Sequence, residues 1–325
     1  MTPPVVPFGH RCQRGTALLL ALVILALVTT LAAAMVTRQQ RALAVESAER
    51  ARAQSAWVLS GALDWARLIL REDARKGPVD DLGEPWAVPL AEARLSTFLA
   101  ADRDNNAASE DGPEAFLSGV VRDLQGRFNL QNLVDESSPP APVPAQVDAL
   151  RRLCLVLGVA DEVALRITNG LLAAMQEDDP DAPLLPTRLS QLRWLGVDEA
   201  SLARLQPYVT LLPERTAVNI NTAPREVLAA VIPGLDLGSA ERIVQRRARA
   251  PYKQPQELIT ELGPAYTGLE DTLSTGSRYF EVIGRLRLDD RVFEERSIVA
   301  RSGQRAGEVT TVLRERRSIA PGVLP

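Results

Sequence analysis

The chain has 325 residues, with 37 lysines and arginines against 41 aspartates and glutamates, and a net charge of −4. This length suffices for two modest domains, and the slightly acidic balance provides no broad positive field for nucleic acid. The one histidine, His10, and one of the two cysteines, Cys12, precede a long apolar run. The part after that run keeps only Cys154, which excludes a Ser-His-Asp or Cys-His catalytic site, a histidine-ligated zinc and an intramolecular disulfide.

The first patterned element is the apolar run from Thr16 to Val36. It reaches the length of about 20 residues with which a helix crosses a membrane, and it exceeds the about 7–15 residues of a secretory signal core. Ala32–Ala34 resembles a small-residue cleavage site, so a secreted protein cut after Ala34 stays open beside a retained membrane anchor. Arginines stand on both sides of the run, and their count does not decide its orientation.

Helical spacing of apolar residues continues beyond the run until Gly77-Pro78 interrupts it. The pattern predicts one helix from Thr16 to about Lys76, roughly 90 Å long at 1.5 Å per residue. Further on, two short alternating runs within Ala115–Val134 surround Gln125-Gly126, which predicts a β-hairpin there. A proline-rich linker follows at Asp135–Pro144.

The second half of the chain changes from helical to strand-like spacing. Short helices are predicted from Ala145 to about Leu273, and strands with turns at Asp289-Asp290 and Ser302-Gly303 follow. Neither the early nor the late group of strands makes a stable sheet alone. We therefore expect an α+β fold with a long N-terminal helix and one antiparallel sheet domain, interrupted by an all-helical insertion. The late strands are Ser277–Asp290, Arg291–Gly303 and Gly307–Arg317.

The segment Val218–Leu258 resembles a helix-hairpin-helix, in which a tight turn joins two helices. Nucleic-acid-binding versions meet a phosphate at the turn, and arginines suited to that role follow it at Arg242, Arg246, Arg247 and Arg249. However, Asp236 lies in the turn, where its negative charge repels phosphate. A compact helical scaffold is the favoured interpretation, and a membrane-anchored nucleic-acid-binding protein is the alternative.

The leader sequence Arg14-Gly15-Thr16 precedes the apolar helix directly, and this arrangement resembles a class III, type IV pilin-like signal. The resemblance implies that a prepilin peptidase cuts after Gly15 on the cytoplasmic face and that Thr16 is then N-methylated. The apolar helix is retained in such proteins. Most pilin-like proteins carry glutamate as the fifth residue after the cut, whereas this chain carries Leu20.

The minor pseudopilin K family of type II secretion systems typically lacks that glutamate, and the chain resembles this family over nearly its whole length. The resemblance implies a non-enzymatic subunit at the tip of a periplasmic pseudopilus, which supports export of folded proteins. It also implies an inner-membrane location, a periplasmic globular part, and as partners minor pseudopilins I and J, the major pseudopilin and the peptidase, with no nucleic acid. The segments that carry the resemblance are Val79–Leu90, Val121–Val134, Val218–Val231 and Ser277–Leu288.

The family's organisation divides this chain into a leader (1–15), a pilin-like helix (16–76), a discontinuous sheet domain (77–135 and 274–325) and an inserted helical domain (136–273). The family also implies calcium in the globular part. Calcium takes six to eight oxygen ligands, and the short acidic loop before the Ser277 strand supplies carboxylates. We expect Glu270 and Asp271 among the ligands.

Overall fold

The structure is a computed structural model, which describes residues 13–96, 114–135, 137, 139–176, 182–289, 291–301 and 308–319. The chain divides into two compact units, residues 1–57 and 58–325. The helices are α1 (Gln13–Lys76), α2 (Pro144–Val156), α3 (Asp161–Ala174), α4 (Glu199–Leu205), α5 (Arg225–Val231), α6 (Leu237–Arg249) and α7 (Pro255–Leu262). The strands are β1 (Leu90–Arg94), β2 (Ala115–Asp123), β3 (Phe128–Asn129), β4 (Val209–Thr210), β5 (Val218–Asn219), β6 (Leu273–Ser274), β7 (Tyr279–Leu288), β8 (Arg291–Arg301) and β9 (Val309–Ile319).

Helix α1 is continuous over 64 residues and ends directly before Gly77-Pro78. The prediction of one helix to about Lys76 is confirmed. At 1.5 Å per residue the helix is about 96 Å long. The described residues of the first unit of the chain all belong to this helix.

The second unit contains one five-stranded antiparallel sheet in the order β1-β2-β7-β8-β9. The early strand β2 pairs along its whole length with the late strand β7, from Ala115↔Leu288 to Asp123↔Phe280. The expected sheet with a long internal insertion is therefore present. Of the turn expected at Asp289-Asp290, Asp289 follows β7 in a turn with φ 53°, whereas Asp290 and the turn expected at Ser302-Gly303 lie outside the described residues.

The part of α1 that belongs to the second unit covers one face of this sheet. Leu63 and Leu70 pack with Phe280 and Val299 in an apolar cluster. Trp86, from a short 3₁₀ helix at Pro85–Ala87, closes this cluster, with its ring edge-on to Phe280 at a centroid distance of 5.2 Å. Because side chains alternate along a strand, the intervening residues of β7 and β8 lie on the opposite face.

The insertion has its own, larger apolar core, formed by α2–α7 with residues such as Leu150, Ile167, Val227 and Ile243. Further 3₁₀ turns lie at Leu130–Leu133, Leu189–Leu195 and Pro264–Tyr266. Two parallel bridges of two residues each join the ends of the insertion to its middle, β3 with β4 and β5 with β6. The insertion is accordingly a second core beside the sheet, and Arg188 adds an ion pair to Glu315 of β9.

The hairpin predicted around Gln125-Gly126 is wrong. Strand β3 pairs in parallel with β4, Phe128↔Val209, and not with β2. The turn instead takes the chain from the sheet into the core of the insertion, where Phe128, Leu130 and Leu133 are fully buried. The core of the insertion therefore begins at Phe128, earlier than the predicted start at residue 136.

Candidate functional site

Helix α1 begins with a surface suited to lipid or to other apolar helices. From Thr16 it contains a window of mean hydropathy 2.7 with none of its residues buried, which is long and apolar enough to cross a membrane. The hydroxyls of Thr29, Thr30 and Thr37 donate to the carbonyls of Ala26, Leu27 and Ala33 at 2.9–3.0 Å. Their polar groups are therefore satisfied within the helix, as an apolar environment requires.

The residues predicted for processing and for the tip position lie on this helix. Gly15 and Thr16 are within its first turns, and Leu20 is 63 % exposed. From Thr16 to Thr37 the sequence contains no charged residue. A neighbouring subunit that packs along this stretch meets only apolar and hydroxyl side chains, and it finds no carboxylate at position 20.

The carboxylate of Asp123, at the end of β2, is the centre of a buried polar cluster where the sheet and the insertion meet. Its Oδ2 accepts hydrogen bonds from the Ser277 hydroxyl (2.6 Å), the Thr222 hydroxyl (2.5 Å) and the Asn219 amide (3.1 Å). Its Oδ1 accepts from the Gln125 N–H at 2.7 Å. One side chain thus connects the exit from the sheet, the inside of the insertion and the return to the sheet.

A second carboxylate, Asp80, lies beside this cluster, on the loop after α1. Arg301 Nη2 is 2.5 Å from both of its carboxylate oxygens, and the Ser277 N–H donates to Oδ2 at 2.7 Å. Burial raises the pKa of Asp80 to about 7, although Arg301 opposes this shift. Burial also raises the pKa of Asp123, against its hydrogen bonds. Both carboxyl groups hold a proton more tightly when folded, and the contribution of Asp80 to stability therefore falls as the pH rises from about 4 to about 7.

Around the cluster, the side-chain amides of three buried asparagines hydrogen-bond to the N–H and C=O groups of other chain segments, where a backbone partner would otherwise be needed. Asn221 donates to the Tyr252 carbonyl and accepts from the Tyr252 N–H, both at 2.9 Å. Asn132 does the same with Thr216, at 2.8 and 3.0 Å. Asn129 accepts from the Leu212 N–H and donates to the Glu214 carbonyl. The asparagines of the segments 126–134 and 219–224 therefore make structural hydrogen bonds, because buried backbone groups need partners.

The helix-hairpin-helix consists of α5 and α6, as predicted, but its arginines serve the fold. Arg247 is buried and donates to the Ile220 carbonyl. Arg246 stacks on the Tyr252 ring at 3.7 Å and pairs with Glu261. Asp236 caps α6 by accepting from the Ser239 N–H at 2.9 Å. Two of the four arginines considered for phosphate contacts are thus committed to internal partners, which argues against nucleic-acid binding here.

The predicted calcium ligands Glu270 and Asp271 are both exposed, on the loop between α7 and β6. The described residues bring together a different set of three carboxylates, Asp73, Asp80 and Glu84, whose oxygens lie within 4.8 Å of one another. Arg301 pairs with Asp73 at 3.1 Å and with Asp80, so a guanidinium already supplies positive charge at this group. The sequence interpretation missed these three because two of them lie in a segment that reads as a plain loop.

Comparison with known proteins identifies the family. The type II secretion system protein K of Pseudomonas aeruginosa is 33 % identical over 312 residues, which cover 87 % of this chain and 87 % of that protein. This chain belongs to the type II secretion system protein K family. The family model "Type II secretion system (T2SS), protein K" matches residues 126–214 and 218–275. The matched residues begin and end beside the Asp123 cluster, so the match extends over the insertion of this chain.

Other members of the protein K family are similar over most of their length. The protein from Pectobacterium carotovorum is 29 % identical, covering 95 % of this chain and 99 % of its own. A chain of the crystal structure of the GspK-GspI-GspJ complex from the enterotoxigenic Escherichia coli Type 2 Secretion System matches with a TM-score of 0.64 at 19 % identity. The match covers 83 % of this chain and 98 % of that chain, and at this identity it supports the protein K fold.

A single isosteric substitution tests the Asp123 cluster. Asn219→Asp replaces the amide that donates to Asp123 by a carboxylate, and it places two buried like charges about 3 Å apart. The free energy of unfolding at pH 7 should fall by about 3 kcal/mol. Part of it should return at pH 5, because the folded pair binds a proton more tightly than the unfolded chain does.

Urea unfolding of the full chain in detergent, followed by circular dichroism at both pH values, measures this change. Asn169→Asp is the matched control, because it makes the same substitution at an exposed position of α3. It should change the free energy of unfolding by less than about 0.5 kcal/mol. Equal stability of the two variants at pH 7 would contradict the role of the cluster.

Proposed function

We propose that this chain is a minor pseudopilin at the tip of the type II secretion pseudopilus, where it supports export of folded proteins across the outer membrane. It is a single-pass inner-membrane protein with a periplasmic globular part, and it acts by assembly and not as an enzyme. The observation that carries the proposal is the uncharged stretch of α1 from Thr16 to Thr37, whose apolar window has no buried residue, in a chain of the protein K family. A protein of the same fold assembles with GspI and GspJ.

Helix α1 offers partner helices a surface beyond the membrane as well. Trp57 is 81 % exposed, and in the second unit Trp65 and Leu68 are exposed apolar side chains. Gly61 has open space around its Cα, with no atom within 4 Å of an added Cβ. Small residues next to large apolar ones allow close helix–helix approach. We propose that minor pseudopilins I and J pack on these exposed side chains of α1, and that the major pseudopilin contacts the complex lower in the fibre.

Leu20 and the insertion together favour the terminal position in the fibre. A carboxylate in an apolar helix assembly is costly unless a charged group pairs with it. In pilin-like fibres a neighbour's N-terminal amine supplies that charge, and the uppermost subunit has no such neighbour above it. A leucine at this position needs no partner. The insertion, with its separate core, adds bulk where another subunit would have to stack.

The tip proposal predicts the composition of the assembly. Full-length chain extracted with minor pseudopilins I and J should co-purify as a 1:1:1 complex, and the chain alone should form no fibres. Leu20→Glu should allow growth beyond the tip, because it restores the carboxylate with which pilin-like subunits engage a neighbour's N-terminal amine. Size-exclusion chromatography with light scattering and electron microscopy of the fibres provide the readouts.

The matched control is Leu22→Glu, which places the same charge two residues further along the helix. Both variants introduce a carboxylate into the apolar helix, but position 20 is the one at which pilin-like subunits carry glutamate. Longer fibres with Leu20→Glu, and not with Leu22→Glu, support the proposal. Homopolymers of the unchanged protein, or indifference to both partners, would refute it.

We further propose cleavage between Gly15 and Thr16 by prepilin peptidase, followed by N-methylation of Thr16. Intact-mass and peptide mass spectrometry of membrane-extracted protein should show a methylated N-terminal Thr16. Gly15→Asp should abolish processing, because a charged side chain replaces the smallest residue at the scissile bond. Gly9→Asp, the same change within the leader, should leave processing intact. A mature chain that starts near Met35 would contradict both the site and the anchor.

Calcium binding at Glu270 and Asp271 remains a proposal, supported by their exposure and by the oxygen chemistry that calcium prefers. Binding to the folded state would raise the melting temperature by mass action. A chelator should therefore lower the melting temperature of the unchanged protein, and it should leave that of Glu270→Gln/Asp271→Asn unchanged. Equal chelator sensitivity would place the ion elsewhere, and no sensitivity would exclude calcium.

A further inference from the structure

A cleft of about 1130 Å³ opens between the insertion and the face of the sheet that α1 leaves uncovered. Its floor includes residues of all five strands, from Leu90 in β1 to Arg317 in β9, and its wall includes Arg188 and Gln206 of the insertion. Neighbouring strands lie about 4.8 Å apart, so the floor is about 19 Å across. This length corresponds to about six residues of extended chain.

The charges in the cleft are arranged in two levels. Glu281, only 3 % exposed, lies under Arg122, Arg127 and Arg296, which all approach it within 4 Å. Glu294, 4 % exposed, lies under Arg285 and Arg317. The carboxylates are at the floor and the guanidinium groups are above them. A molecule that enters the cleft therefore meets mainly N–H donors, and the partly exposed carboxylate of Glu315 is paired with Arg188 at 2.7 Å.

Positive charge exceeds negative charge in this cleft. Eight arginines and three glutamates line it. Arg314 and Arg316 pair with Glu295, which follows Glu294 in β8 and therefore points to the opposite face of the sheet. The other six arginines and the three glutamates leave an excess of three positive charges among the described residues. A guanidinium has five N–H donors in a planar fork, and a floor carboxylate shared by two or three arginines cannot engage them all. The remaining donors are available to an external anion.

We propose that this cleft binds an extended acidic segment of a second protein through paired carboxylate–guanidinium hydrogen bonds. All of the basic residues in the cleft are arginines, whose geometry matches carboxylates bidentately. The floor accommodates about six extended residues, which a small anion would not fill. None of the described residues that line the cleft is aromatic, whereas single-stranded nucleic acid is held largely by stacking on aromatic side chains.

Fluorescence anisotropy with a labelled octaglutamate peptide, capped at both ends, tests this proposal on the full chain in detergent. Octaglutamate should bind at low salt at least tenfold more tightly than octaglutamine, and binding should weaken as salt is added. Arg122→Gln/Arg317→Gln should weaken octaglutamate binding about tenfold. Both side chains are at least half exposed, so the variant should keep the melting temperature of the parent.

Arg151→Gln/Arg225→Gln is the matched control, because it removes the same charge from half-exposed ion pairs elsewhere on the insertion. It should leave octaglutamate affinity within about twofold. Equal loss in both double variants would show a general charge effect and overturn the proposal. Full displacement of the peptide by equimolar inorganic phosphate, or tighter binding of an octathymidine oligonucleotide, would overturn it as well and assign the cleft to phosphate groups.

Discussion

The carboxylate of Asp123 accepts hydrogen bonds from both sides of the boundary between the sheet and the insertion. Ser277 lies where the chain returns to the sheet, and Asn219 and Thr222 lie inside the insertion. A buried carboxylate is costly without such donors, and the donors are equally costly to leave unpaired. This mutual requirement fixes the place at which two separate apolar cores meet.

Close backbone approach surrounds this boundary. A Cβ on Gly276 would lie 2.2 Å from the Pro78 carbonyl oxygen, so only glycine allows the returning strand to pass the end of α1 there. Gly126 meets Thr222 in a similar way on the other side. Arg301 adds charged contacts from β8 to the last turn of α1, through Asp73, and to the loop after α1, through Asp80. The long helix, the sheet and the insertion are therefore held by one continuous polar network within the second unit.

Much of this architecture is readable from periodicity alone. The end of α1 at Gly77-Pro78, the late strands and the helices of the insertion follow from local patterns. One sheet shared by the early and late strands followed from the argument that neither strand group is stable alone, but the pairing of β2 with β7 was not predicted. The predicted hairpin at Gln125-Gly126 is wrong because the alternation of apolar and polar residues does not show which strand is the partner. Strand β3 pairs with β4, where Phe128 is opposite Val209. The Asp123 cluster was not predicted, because its members lie up to 154 positions apart in the sequence.

The nested topology also sets an order of events when the chain is made. Strand β2 ends at Asp123 and its partner β7 begins at Tyr279, so the whole insertion is synthesised before the sheet can close. Contacts of such long sequence separation form slowly, while the insertion holds a complete core of its own. We therefore expect the insertion to fold first, while β1 and β2 keep an unpaired edge that is prone to wrong pairing. Chains that end before β7 would keep a folded insertion and lose the sheet that α1 needs.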